Sequence, residues 1–221
     1  LTSALSLLNV VVLFVIVPVV AVYMLLDWDN MTARIDTLLP RDHAPAIRRI
    51  AREVDRVLAG FVRGMGSVCL ALGVYYAALL WVVGLQFGLV VGVVAGMLTF
   101  IPYVGAIVGG ALAIGLALFQ FVGAEEVTNA AGAVTGHETN WWRVVAVWAV
   151  FQSGQFIEGN ILTPRWVGSS VGLHPVWLLL SLSVFGSLFG FVGLLVAVPL
   201  AAALGVVARF AAEQYLTSRL Y

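Results

Sequence analysis

The sequence predicts an all-α, polytopic transmembrane protein containing two broken or re-entrant helical hairpins in a candidate inverted repeat. Three observations predict it. The 221-residue chain is 62% hydrophobic and 10% charged, where a soluble domain carries about 25% charged residues. Its apolar residues come in long runs without the 3.6-residue polar stripe of a soluble amphipathic helix. Two of the short apolar runs, about 85–122 and 175–210, are each interrupted at a comparable point by residues unfit for a helix interior.

Leu5 to Leu26 forms the first span, long enough to cross ~30 Å of hydrocarbon at ~1.5 Å per residue. Pro18 should kink it. No small-residue cleavage site follows, so it does not read as a signal peptide. The first segment is thus residues 1–26, a transmembrane helix.

Residues 27–63 read as a cytoplasmic amphipathic helical segment. All eleven basic residues of the chain are arginines, and seven lie between Arg34 and Arg63. Asp42 is placed to cap a helix from about Ala44 onward, with Pro45 in its first turn. Ile47, Ile50, Val54, Val57 and Leu58 then share one face. Arg48, Arg49, Arg52, Glu53, Asp55 and Arg56 occupy the other. Such a helix either lies on anionic lipid or packs on its own protein. The arginine bias places the segment, and by parity the C-terminus, in the cytoplasm.

Residues 64–221 form the transport core. Gly64 to Gly84 is a second span, and Leu85 to Ile101 and Gly105 to Val122 are short runs joined by Pro102-Tyr103-Val104. Gly88, Gly92 and Gly96 make two GxxxG steps, a signature of close helix contact in lipid. Gly123 to Asn140 reads as a polar loop, and Trp141 to Glu158 returns through the membrane behind two interfacial tryptophans. Val176 to Phe189 and Phe191 to Phe210 form the second short pair. At an offset of 88 residues Pro102 falls opposite Gly190, and Tyr103-Val104-Gly105 opposite Phe191-Val192-Gly193. The two pairs would enter from opposite sides, a plan common in transporters.

Gly159 to Pro175 is polar and Gly/Pro-broken between two oily helices. Just before it, Gln152, Gln155 and Glu158 fall at i, i+3 and i+6 along one side of a helix. Polar groups at membrane depth mark a wet cavity or a partner. Candidate solute or ion contacts are therefore Gln152, Gln155, Glu158, Asn160, Thr163 and His174, with Tyr103 and Gln120 from the first hairpin. The competing readings are packing or interface anchoring for Tyr103 and Gln120, a helix-entry hydrogen bond for His174, and an ion pair with Arg165 for Glu158. Candidate helix-break hinges are Pro102, Gly105, Pro164, Pro175, Gly190 and Gly193.

Four stretches carry a family resemblance: IPYVGAIVG from Ile101, IEGNILTPRWVG from Ile157, GLHPVWLLLSL from Gly172 and GFVGLLVAVPLAA from Gly190. LLDWDNM and the following LLP fit the same pattern, which resembles the autoinducer-2 exporter (AI-2E) family across essentially the whole chain. The resemblance implies an oligomer, suspected to be a pentamer, in a bacterial or archaeal inner membrane, moving a small polar solute outward. It also implies an N-terminal transmembrane part preceding Leu1. Members differ between export of the quorum signal autoinducer-2 and sodium–proton antiport. Arg63-Gly64-Met65-Gly66 departs from the Gly-Gln pair common in the family, and the 123–140 loop is longer than usual.

The implied mechanism is alternating access, with sodium or a proton as candidate coupling ion at Glu158. The bilayer is a partner, and no cofactor, metal or nucleic acid is expected. Catalysis is not expected either: His137-Glu138 lacks the second histidine of a zincin, and there is no Gly-x-Ser-x-Gly elbow or phosphate-cradling loop. A structural or channel-forming membrane module is the remaining alternative.

Overall fold

The structure is a computed structural model that describes residues 15–122, 125–128, 134–138, 140–167 and 174–216. Much of the expected first span therefore lies outside the described residues, as do residues 168–173 of the central polar stretch. Two compact units are present, residues 1–51 and 52–221.

In the first unit, helix α1 (Val17–Leu26) carries Pro18 in its first turn, where a missing N–H costs no helical hydrogen bond. A wide turn at Val15-Ile16 precedes it. Helix α2 (Trp28–Thr37) follows after Asp27, whose carboxylate accepts a hydrogen bond from Asn30 Nδ2 at 2.8 Å. Asp36 then takes both oxygens to Arg48, at 2.6 Å to Nε and 2.8 Å to Nη2. Arg48 lies near the start of helix α3 (Ala44–Val83), so this fork ties α2 to it. The hydrogen bonds from Arg48 hold the Asp36 carboxyl below the usual carboxylate range.

Helix α3 is continuous for 40 residues, so the expected boundary between residues 63 and 64 falls inside one helix. Composition changes there, from charged to apolar, but Gly60, Gly64 and Gly66 do not stop it; glycine costs a helix only about 1 kcal/mol each. In the second unit Phe61, Met65, Val68, Leu72, Tyr76 and Leu80 are buried along one face of α3. Val62, Leu70, Val74 and Trp81 are exposed on the others. Apolar residues all round are what a lipid-facing helix shows. The helix ends at Gly84, whose φ of 83° a side chain would resist. The N–H of Leu85 returns to Leu80 O and that of Gly84 to Trp81 O, closing a Schellman turn.

Helix α4 (Gly88–Leu98) folds back along α3. The glycine ladder makes this possible: a Cβ on Gly92 would collide with the Ala77 backbone, and one on Gly96 with that of Gly73. At 11 residues α4 rises only about 16 Å, about half the hydrocarbon thickness. The chain then turns through residues 99–104, with Thr99 Oγ1 bonded to Ala95 O at 3.0 Å and Tyr103 at a φ of 67°. A wide π turn (Gly105–Gly109) leads into helix α5 (Gly110–Phe121).

The segment expected to be a polar loop holds two short antiparallel strands, β1 (Glu125–Thr128) and β2 (Val134–Glu138), pairing Glu125 with Glu138. Among the described residues this ribbon is a local addition to helices and turns. Helix α6 (Trp141–Ile157) follows and runs into ten residues of wide π-type turns, Glu158–Val167, around Pro164. The expectation there was irregular chain.

Helix α7 (Pro175–Leu216) reverses at Gly190, whose φ of 60° and ψ of −138° are not helical. A Cβ on Gly193 would overlap the carbonyl of Phe185, so the two arms lie side by side after the reversal. Both short pairs are thus helical hairpins broken near the expected points. Ile101 and Val104, from the turn of the first hairpin, pack with Leu182, Phe185, Leu194 and Ala197 of the second.

Candidate functional site: a polar chain between helices α3 and α6

Between Arg143 in its first turn and Gln152 near its end, helix α6 is aliphatic and aromatic. Val144, Val147, Val150, Phe151 and Gly154 form its buried stripe, which holds that side of α6 in the core. Phe151 stacks on the Tyr76 ring of α3, centroids 4.6 Å apart, and Tyr76 meets Tyr75 edge to face at 5.5 Å. Gly154 has to be glycine, because any Cβ would enter the Tyr76 ring.

This packing brings the polar ends together. The Tyr75 hydroxyl lies 2.7 Å from Ser153 Oγ. Ser153 Oγ directs its hydrogen to the carbonyls of Ala149 (2.6 Å) and Val150 (3.1 Å), so Tyr75 is the donor to Ser153. Gln155 Nε2 donates both to Glu158 Oε2 at 3.0 Å and to the Tyr76 hydroxyl at 3.4 Å. Gln155 and Glu158 are half-buried. The result is a run of hydroxyl, amide and carboxylate along the α3–α6 contact, ending where α6 opens into wide turns. Departures from α-helical hydrogen bonding of the π type recur at functional sites.

The sequence-derived candidates divide. Gln155 and Glu158 stand together in this chain. Gln152 is exposed, and Thr163 is half-buried in the wide turns. Asn160 Nδ2 bonds back to Phe156 O at 2.9 Å. His174 Nδ1 accepts the Val176 N–H at 3.3 Å, a cap on the entry to α7. Tyr103 is exposed in the first hairpin turn, between Pro102 and Gly105. Gln120 is committed to the turn after α3: its Oε1 accepts the Gln86 N–H at 2.7 Å and its Nε2 donates to Gly84 O at 2.9 Å. Of the hinge candidates, Pro164 lies within the wide turns, Pro175 starts α7, and Gly190 and Gly193 make its reversal. Glu158 and Arg165 form no ion pair among the described residues. Tyr75, Tyr76 and Ser153 were missed by reading the sequence. Their one signal is a tandem tyrosine in an otherwise aliphatic span.

A donor–acceptor run between apolar helices, in a protein where the turn of one broken hairpin packs on the other, is the arrangement of a helical membrane protein that keeps polar groups inside. The match to known proteins agrees. The family described as AI-2E family transporter matches residues 1–134 and 130–212, and the chain belongs to it. YrrI of Bacillus subtilis, which carries the name of a transport protein, is 34% identical over 190 residues, covering 86% of this chain and 48% of YrrI. PerM of Escherichia coli, named as a permease, is 30% identical over 201 residues, covering 91% of this chain and 52% of PerM. The chain spans about half the length of these relatives. No solved structure matches it.

Proposed function

We propose that the protein exports a small polar solute, an autoinducer-2-like signal molecule, by alternating access across a bacterial or archaeal inner membrane. The observation that carries this reading is the hydrogen-bonded run Tyr76–Gln155–Glu158 at the mouth of the wide turns. A hydroxylated solute needs donors and acceptors in quantity, and this run supplies a hydroxyl, an amide and a carboxylate. The packing of the first hairpin turn on the second hairpin supports the mechanism, since broken hairpins meeting in a transporter surround its solute. Other elements of the proposal are an oligomer, a pentamer by family likeness, and a cytoplasmic position for residues 27–63 and the C-terminus. The same residues give a second reading. Glu158 is half-buried with one amide donor and no arginine partner among the described residues, which suits a carboxylate that exchanges sodium for a proton.

Liposome flux separates the two. Labelled autoinducer-2 uptake and internal pH after a sodium jump are followed in parallel for the parent and Glu158→Gln. Signal movement without a sodium-driven pH change supports export. A sodium-driven pH change lost in Glu158→Gln makes the protein an antiporter, and no movement of either removes the transporter reading.

A further inference from the structure

A second polar feature lies along α3 and the wide turns and shares no residue with the hydrogen-bonded run. Arg52, Arg56 and Arg63 fall at i, i+4 and i+11 along α3, one face of that helix. A Cβ on Gly64 would collide with the carbonyl of Trp166, so α3 and the wide-turn segment touch backbone to backbone at that point. That approach carries Arg165 and Trp166 to the arginine face. The outcome is an open groove of about 860 Å³ lined by Arg52, Arg56, Arg63, Arg165, Trp166 and Asp55.

Four guanidinium groups facing one carboxylate repel one another unless an anion joins them. Their local partners do not supply it. Arg56 has a loose contact to Glu53 at 3.6 Å, and Arg63 Nε donates to the Ala59 carbonyl at 3.1 Å. Arg52 and Arg165 make no ion pair among the described residues. Guanidinium forks match phosphate oxygens two at a time. The open groove has ample room for a phosphate and the glycerol unit that carries it, and the half-exposed Trp166 indole at its edge suits a site bordering lipid.

We propose that this groove binds a phosphate oxyanion carried on a glycerol unit, and that the bound group clamps α3 to the Glu158–Val167 segment. The same chemistry is offered by an anionic glycerophospholipid headgroup and by a soluble glycerol phosphate. Calorimetric titration of the detergent-solubilised chain tells them apart, using dioctanoyl phosphatidylglycerol, sn-glycerol 3-phosphate and, as a phosphate-free control, dioctanoylglycerol. The lipid binding and the soluble phosphate not binding identifies a headgroup site; the reverse identifies a soluble ligand. In either case Arg52→Gln and Arg165→Gln each weaken binding about fivefold. Asp55→Asn strengthens it, a change that misfolding cannot imitate. Binding of neither phosphate probe, equal binding of dioctanoylglycerol, or affinities unmoved by all three substitutions overturns the proposal.

Discussion

Gln120 shows how differently one amide can be used from another in the same molecule. Both ends of its side chain are spent on the Gly84–Gln86 turn, whereas Gln155 connects a tyrosine to a carboxylate. Gln120→Leu leaves two backbone groups without their partner and should cost about 1–3 kcal/mol. The expected outcome is a lower unfolding temperature in detergent with solute flux per folded protein preserved. Gln155→Leu should do the opposite, lowering flux with little loss of unfolding temperature. The pattern Gln152, Gln155, Glu158 was legible because polar residues stand out in an oily helix. Which of them turn inward was not, since that depends on Tyr75 and Tyr76 more than seventy residues earlier in the chain. Tyrosine in a span reads as packing, and Tyr76 does pack; its hydroxyl takes the second role only because Gly154 admits the ring.

At the scale of elements, glycine spacing sets how closely helices approach. Gly92→Leu forces a side chain into the Ala77 backbone, and overpacking of this kind costs about 1–3 kcal/mol. Gly115 meets nothing within 4 Å of its would-be Cβ, so Gly115→Ala should leave thermal stability unchanged or slightly raised. Thermal unfolding of the two variants side by side checks the difference. Here the sequence was informative: GxxxG steps announced the close pair, and Pro102 and Gly190 announced both hairpin turns. The wide turns after Ile157 and the small ribbon in the 123–140 segment were not announced. Gly159 and Pro164 signal only that an α-helix is disfavoured, and a four-residue strand has too few residues to show alternation.

The Asp36–Arg48 fork belongs to the same scale. The folded carboxyl titrates below its unfolded value, so its contribution is complete at neutral pH and is lost as pH falls through the carboxylate range, below about pH 4. Both groups are exposed, so salt should weaken the pair as well. Amide exchange across residues 28–51, corrected for intrinsic rates, should speed up between pH 5 and pH 3. Arg48→Gln should remove that dependence.

For the whole molecule, apolar helices supply the membrane body, and the proposed solute path is a short polar run among them. The chain belongs to the AI-2E transporter family, and the α3–α6 contact is where we propose the path to lie. The central claim is that Gln155 lines a path rather than a sealed packing contact. The most direct test places a single cysteine at position 155, with Cys69 replaced by alanine, in sealed vesicles of known orientation. A membrane-impermeant maleimide is applied from one side and then the other, with and without transported solute. Labelling from both sides, slowed by solute, is the predicted result. A cysteine that reacts from neither side would show that the polar run is buried structure, and the proposed path would have to lie elsewhere.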